Sequence, residues 1–431
     1  MRKLAIILIP TIIVAGLFFT GKLDFSKPKL TIKDVESIGN EYTLSLKAED
    51  KQSGISKLKV SISQNGREIN VYQNDSINTK EITVNIPINP KKLGLIEGKA
   101  NLKIEATNNS LIKRKTSYQK DIMIDLTPPV ISIVDWTKNI INGRTGFVFF
   151  KSSKPLSKAE VKIGNYSYRC LDFSYGYVCP FSYPYFEEGY LPLSIQAIDR
   201  SSNKTVLSLN YSLKKVNYAK SVLDIDDNFI EKKVRPLSDK NIPDKVELFK
   251  YVNVKVRKNN EDTIHKVTSE CKNKEPMFND YFRYLENSTK LGGFADYRKY
   301  RYNGQIIEGA DAYHKGFDFA SVKNAPVKAS NTGEVVFTGF LGIYGNTVII
   351  DHGSCIYSLY SHLSEINVRN GQKVDKNTVI GKTGTTGLAV GDHLHYGILV
   401  EGIEVNPIEW FDPKWLDTRF FTPLKQLKGG Q

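Results

Sequence analysis

From about Pro28 to Tyr218 the chain is built of short runs in which apolar and polar residues alternate, separated by turns. In YTLSLKAED (42–50), Tyr42, Leu44, Leu46 and Ala48 fall on one side and Thr43, Ser45 and Lys47 on the other, the period-two signature of a strand with one buried face. NLKIEATNN (101–109) and LSIQAIDRSSN (193–203) repeat the pattern, each ending in Ala-x-Asn or Ala-x-Asp before turn residues, and QNGRE (64–68) is a further turn signal. Paired prolines in LTPPVISI (126–133) cannot continue a ladder and split the region in two. From 216 to about 300 the alternation weakens into charged stretches with helix-like spacing, such as PDKVELFKYVNVKVRKNNEDTIHKVTSE. After Arg301, strands and glycine turns return in GEVVFTGF, GNTVIIDHG, YSLYSHL and GKTGTTG.

A mainly β chain is expected. Two N-terminal β-sandwich modules, over 27–126 and 127–215, resemble immunoglobulin-like domains in pattern and act as spacers or binding modules. A partly helical connector covers 216–300. A compact antiparallel β domain covers 301–412, closed by Trp410 and FDPKW, and a polar tail covers 413–431. A length of 431 residues accommodates about three domains. With 40% hydrophobic and 25% charged residues, neither a disordered chain nor a polytopic membrane protein is indicated.

The start changes the compartment. In MRKLAIILIPTIIVAGLFFTGK, Arg2 and Lys3 precede an apolar run from Leu4 to Phe19, which predicts a membrane-directing segment over 1–22. Bulky Phe18 and Phe19 stand where a cleavage site would want small residues, so an uncleaved anchor is expected, with a cleaved signal peptide as the alternative; either exports the remainder. Export makes a disulfide between Cys170 and Cys179 the favoured reading over two free thiols, and leaves the pairing of Cys271 with Cys355 open. The formal charge of +14 is scattered and accompanied by no nucleic-acid motif. An anionic wall or membrane surface is one counterpart, and generic surface lysine is the other reading.

The chemistry concentrates near the C-terminus, where five of the six histidines fall between 314 and 395. On a strand, GDHLHYG (391–397) would put His393 and His395 on one face. HKGFDFA (314–320) would likewise put His314 and Asp318 on a shared face, and LYSHLSEI brings His362 just after a strand. Three histidines and a carboxylate aimed into one cleft suit Zn²⁺, whose catalytic sites use three protein ligands and keep a fourth position for water.

These three stretches, in this order and with glycine turns between them, closely resemble the lysostaphin or LytM type of zinc metallopeptidase over about 301–412. GIYGNTVIIDHG, TGLAVGDHLHYG and VNPIEWFD look like the membrane-anchored Gram-negative members. The resemblance implies a LytM-type peptidase domain with His314, Asp318 and His395 as zinc ligands and His362 and His393 as the catalytic pair; strand alternation alone does not separate His393 from His395. It also implies Zn²⁺ as cofactor, peptidoglycan cross-bridge peptides as substrate, and an inner-membrane anchor with the bulk of the chain periplasmic. The expected activity is peptidoglycan endopeptidase, of D,D type, by zinc-activated water. All five positions are filled, unlike relatives that lost zinc and only activate other enzymes. The alternative is a non-catalytic regulator or wall-binding adaptor that engages protein partners through the β modules. A third expectation, compatible with the first, is that residues 216–300 lie over the groove and inhibit it. His352 is expected to be a strand-end residue bonding backbone, and Tyr344 and Asn346 to form a hairpin turn.

Overall fold

The computed structural model describes residues 22–429 together with Gly16, Phe18 and Thr20. Most of the segment expected to anchor the chain thus lies outside the described residues. Among the described residues no helix is long and apolar enough to cross a membrane. The single N-terminal anchor, and the inner-membrane location drawn from it, are corrected accordingly. The physical weakness is visible in the sequence: the run Leu4–Phe19 is short of the roughly 20 residues a spanning helix needs, and Pro10 lies inside it.

The chain is mainly β and divides into two compact units, Met1–Val130 with Ser153–Lys158 and Ala197–Thr205, and Ile131–Ser152 with Ala159–Gln196 and Val206–Gln431. In the first, a three-stranded sheet of Lys29–Ile32, Tyr42–Glu49 and Glu81–Ile88 faces a five-stranded sheet ordered Ser37–Ile38, Lys115–Ile124, Gly98–Asn108, Ile55–Gln64, Arg67–Asn74. Their inward residues, among them Leu44, Leu46, Val60, Leu102 and Ile104, form one apolar core, so the alternation read from the sequence is the burial pattern of the strands. The immunoglobulin-like likeness rests on that pattern alone.

The second unit begins with a sheet ordered Leu171–Asp172, Tyr177–Ser182, Thr145–Ser152, Ile131–Trp136. A disulfide joins Cys170 to Cys179 here, and a second joins Cys271 to Cys355. The rest is built on an eight-stranded sheet ordered Thr289–Gly292, Phe317–Ala320, Leu394–Val400, Ile356–Leu363, Asn346–Asp351, Gly333–Phe340, Lys373–Val374, with Ile403–Val405 paired to Leu394–Val400. Its central strands Ile356–Leu363 and Leu394–Val400 are buried at every position, because both faces are covered.

Part of that cover comes from 216–300. Lys245–Lys250, Tyr251–Val256 and Arg257–Thr268 form a continuous helical run, and Leu248, Phe249, Val252 and Ile264 share a core with Ile349, Tyr357, Leu359 and Leu399 of the sheet. The strand Lys220–Ile225 pairs in parallel with Tyr297–Tyr302, which pairs antiparallel with Ala312–Tyr313. The segment is helical in part, but it is packed into the β domain. The expected polar tail also needs correction. Pro413–Leu416, Asp417–Phe421 and Thr422–Gly429 are helical. Leu416, Phe420 and Leu427 are fully buried, and the Phe420 ring lies 5.2 Å from Phe147 and 4.9 Å from Phe278. Apolar residues separated by three and four positions in a lysine-containing sequence make an amphipathic helix, a period hidden behind the charges.

Candidate metal centre

Three neighbouring strands and the loops that enter them bring the five residues together. Asp318 lies on Phe317–Ala320 and is paired in register with His395 of Leu394–Val400, which is paired in turn with Ser361. His314 precedes its strand and His393 precedes the next, where it forms an isolated bridge to Gly384. Strand alternation therefore places Asp318 and His395, while loop geometry places His314 and His393. His362 is within Ile356–Leu363 at φ +63°, beside an irregularity in register where Asn346 faces Leu363 and Val348 faces Tyr360. A side chain not branched at Cβ tolerates this left-handed backbone at a cost of about 1–3 kcal/mol.

His314 Nε2 is 2.9 Å from Asp318 Oδ1 and 2.9 Å from His395 Nδ1, and the latter is 3.0 Å from the same Asp318 oxygen. His393 Nε2 stands 3.6 Å from it. The His362 ring lies 4.8 Å from that of His393 and 5.9 Å from that of His395. Gly316 makes the closeness feasible: a Cβ there would come within 2.4 Å of the Tyr396 carbonyl oxygen and 2.9 Å of the His395 ring.

Backbone carbonyls fix three of the imidazoles. Nδ1 of His314 donates to Gly293 O at 2.7 Å, Nδ1 of His362 to Thr386 O at 2.8 Å, and Nδ1 of His393 to Gly391 O at 2.8 Å. A carbonyl only accepts, so the neutral rings carry their protons on Nδ1 and keep the Nε2 lone pairs for the cluster. His395 is reversed, with Nδ1 toward the cluster and a buried Nε2 that has no partner among the described residues. Burial, then the neighbouring His393 and His395, push His362 down to about 3; burial pushes His395 down to about 4. Burial alone would raise Asp318, but His314 and His395 outweigh it and hold its carboxyl well below the usual range.

The donor set thus aims a carboxylate oxygen and an imidazole lone pair at each other across 2.9 Å, with a second ring nitrogen as close. Two lone pairs at that distance repel unless a cation or a proton lies between them. A tetrahedral zinc, bonded at 2.0–2.1 Å, separates its donors by roughly 3.3 Å, so these residues fit such an ion with little adjustment. The alternative grouping of Cys271, Cys355 and Glu401 does not, because both sulfurs are spent in a disulfide and no thiolate is left.

The five residues line a groove of about 700 Å³. Its other lining comes from Val222, Leu223 and Asp224 of the strand preceding the helical run, from Leu291 and Arg298, and from Tyr344 and Val390. Tyr344, which closes the short turn Gly342–Tyr344, is buried against the groove as well as being part of that turn. His352 stays apart: its Nδ1 is bonded to Thr332 O at 2.8 Å and its Nε2 to Ser358 at 2.7 Å, and burial lowers it to about 4. Sequence reasoning missed the carbonyls of Gly293, Thr386 and Gly391, which have no side-chain signature. It also missed Arg298, one basic residue among 60, whose Nη2 is 3.3 Å from the second oxygen of Asp318.

Part of the chain is similar to known proteins. Over 122 residues the chain is 44% identical to the peptidoglycan DD-endopeptidase ShyA of Vibrio cholerae, covering 27% of this chain and 28% of that protein. It is 43% identical over 100 residues to the DD-carboxypeptidase/endopeptidase Mpg of Neisseria meningitidis, 22% of each. The catalytic domain of the antimicrobial peptidase lysostaphin from Staphylococcus simulans is 28% identical, covering 31% of this chain and 98% of that one, at a TM-score of 0.26. The chain spans about a quarter of the length of the curated relatives it matches. Residues 312–407, which hold all five of the clustered side chains, match the model of Peptidase family M23, and the chain carries a domain of that family.

Proposed function

We propose that the protein is a zinc-dependent peptidoglycan endopeptidase that hydrolyses peptide cross-links of D,D type, with His314, Asp318 and His395 as metal ligands and His362 and His393 as the catalytic pair. The observation that carries the reading is the triangle of donor atoms 2.9–3.0 Å apart, two of them facing lone pairs. A zinc ion there would supply Lewis acidity, acidifying a water and polarising the carbonyl of the scissile amide.

The chain's own residues account for the rest. His362 and His393 are held with Nδ1–H on backbone carbonyls, so each presents Nε2 to the groove. One takes a proton from the attacking water and delivers it to the leaving amine; the other, when protonated, donates a hydrogen bond to the developing oxyanion. Hydrolysis then balances: water adds across the amide, giving a carboxylate on one peptide and an amine on the other. The similarity to relatives named DD-endopeptidase supports the substrate class. The complete five-residue set weighs against a non-catalytic adaptor, whose groove would need neither imidazole pair. The β modules outside residues 312–407 serve, in this reading, as spacers or wall-binding elements.

Digestion of cross-linked sacculi, with mass analysis of the released muropeptides, tests the proposal. Wild-type protein should release uncrosslinked peptides and His314→Ala should not; release by both, or by neither, would refute it.

A further inference from the structure

Three cationic side chains line the groove: Arg257, Arg298 and Lys315. Lys315 is closed off by Glu261 at 3.1 Å and Glu404 at 3.3 Å. Arg257 turns back on its own helix, with Nε and Nη2 on Asn253. Arg298 is placed differently. Its Nε donates to Asp296 Oδ2 at 3.1 Å and its Nη2 to Asp318 Oδ2 at 3.3 Å, and its side chain keeps 21% of its surface exposed. Among the described residues no hydrogen bond engages Nη1. Asp296 is itself steadied by Ser221, whose hydroxyl donates to Oδ1 at 2.8 Å. Ser221 belongs to Lys220–Ile225, the strand contributed by the segment before the family match. A guanidinium is therefore fixed beside the metal cluster by two carboxylates, with one donor edge unspent. The acidic neighbours on that wall are committed elsewhere: Asp224 is paired with Arg301 at 2.6 and 2.7 Å, and Asp226 caps a helix start by accepting from Phe229 N at 2.7 Å.

A fork of N–H groups suits a carboxylate. We propose that Arg298 binds the free α-carboxylate of the residue on the leaving side of the scissile bond, and so makes that carboxylate a requirement of the substrate. The inference rests on the D,D-endopeptidase reading above and deepens it. In a D,D cross-link, as in a terminal D-alanyl-D-alanine, the leaving nitrogen sits on a carbon that bears an unblocked carboxylate. That carboxyl carbon is about 4 Å from the scissile carbonyl carbon along the chain, and Arg298 Nη2 stands 3.3 Å from an oxygen of the proposed ligand Asp318. A peptide bond inside a continuous main chain has an amide at that place and offers the guanidinium no charge.

The test compares two synthetic peptides ending in D-alanyl-D-alanine, one with a free C-terminal acid and one with a C-terminal amide, on the zinc-loaded full-length protein. Wild type should favour the acid in kcat/KM by about tenfold or more, the scale of one charge-assisted hydrogen bond. Arg298→Gln should bring the two substrates within about twofold of each other, chiefly by raising KM for the acid, and Arg298→Lys should keep part of the preference. The ratio of the two rates does not depend on how much of a preparation is folded or metal-loaded, so a poorly behaved variant still gives an answer. If Arg298 only steadied Asp318, both substrates would slow by one factor and the ratio would persist, which overturns the proposal. A wild type that cleaves sacculi but treats acid and amide alike overturns it too while leaving the endopeptidase reading intact. A wild type that cleaves nothing removes both.

Discussion

In the first unit the strand Gly98–Asn108 buries every second residue, and Ala100, Leu102, Ile104 and Ala106 go into a core of apolar side chains. In the β domain that holds the candidate metal centre, Ile356–Leu363 is buried at all eight positions, yet it contains Ser358, Ser361 and His362. Each of those polar groups has a partner: Ser358 meets His352 and Tyr360, Ser361 meets Thr347, and His362 meets the Thr386 carbonyl. A strand with one wet face sorts residues by polarity and leaves few buried polar groups to satisfy, here Asn108 at its end. A strand covered on both faces must satisfy every one it carries, and this second arrangement holds His362 and His395. The difference separates a region whose mutation should cost stability from one whose mutation should cost chemistry.

The largest expected break in that contrast comes from the proton carriers. His362→Ala or His393→Ala should lower kcat on a cross-linked peptide by about 10²–10⁴, with zinc content and unfolding midpoint close to wild type; a loss below threefold in both would remove the proposed pair. Next is the apolar side. Leu102→Ala, at a fully buried position, should destabilise the first unit by about 2–5 kcal/mol in urea titrations while kcat stays unchanged; a comparable drop in kcat would erase the division of labour.

A smaller effect sharpens the point about buried polar groups. Glu409 is buried, accepts from Thr145 N at 2.6 Å, and is raised by burial to about 7. Between about pH 4.5 and about 7 the folded chain holds a proton there that the unfolded chain has released. The stability it confers is therefore full below the unfolded value and is lost as pH rises through the folded one, by at most about 3 kcal/mol. Glu409→Gln keeps an oxygen for Thr145 and should flatten the stability profile over that range; a profile identical to wild type would contradict the assignment.

How much of this was legible in the sequence depended on how many constraints each residue obeyed. The β modules showed because one-faced burial writes itself as alternation. Asp318 and His395 showed because they sit on strands. His314 and His393 lie in loops, where spacing carries no direction, and only the resemblance gave His395 and His393 different expected roles. The strand Lys220–Ile225 was read as part of a connector since parallel pairing with Tyr297–Tyr302 joins residues some 75 apart in sequence. The packed helices after residue 412 hid behind lysines that lie on their exposed side. The carbonyls that set the imidazole tautomers could not be read at all, for every residue has one.

The central claim is that His314, Asp318 and His395 grip one divalent ion. Protein stripped with a chelator, dialysed against limiting zinc and analysed by elemental mass spectrometry tests it most directly. Wild type should hold one zinc per chain, and His314→Ala and His395→Ala should hold far less under the same free-zinc concentration while remaining folded by circular dichroism. Wild-type protein that retains no zinc, or variants that retain as much as wild type, would contradict the account.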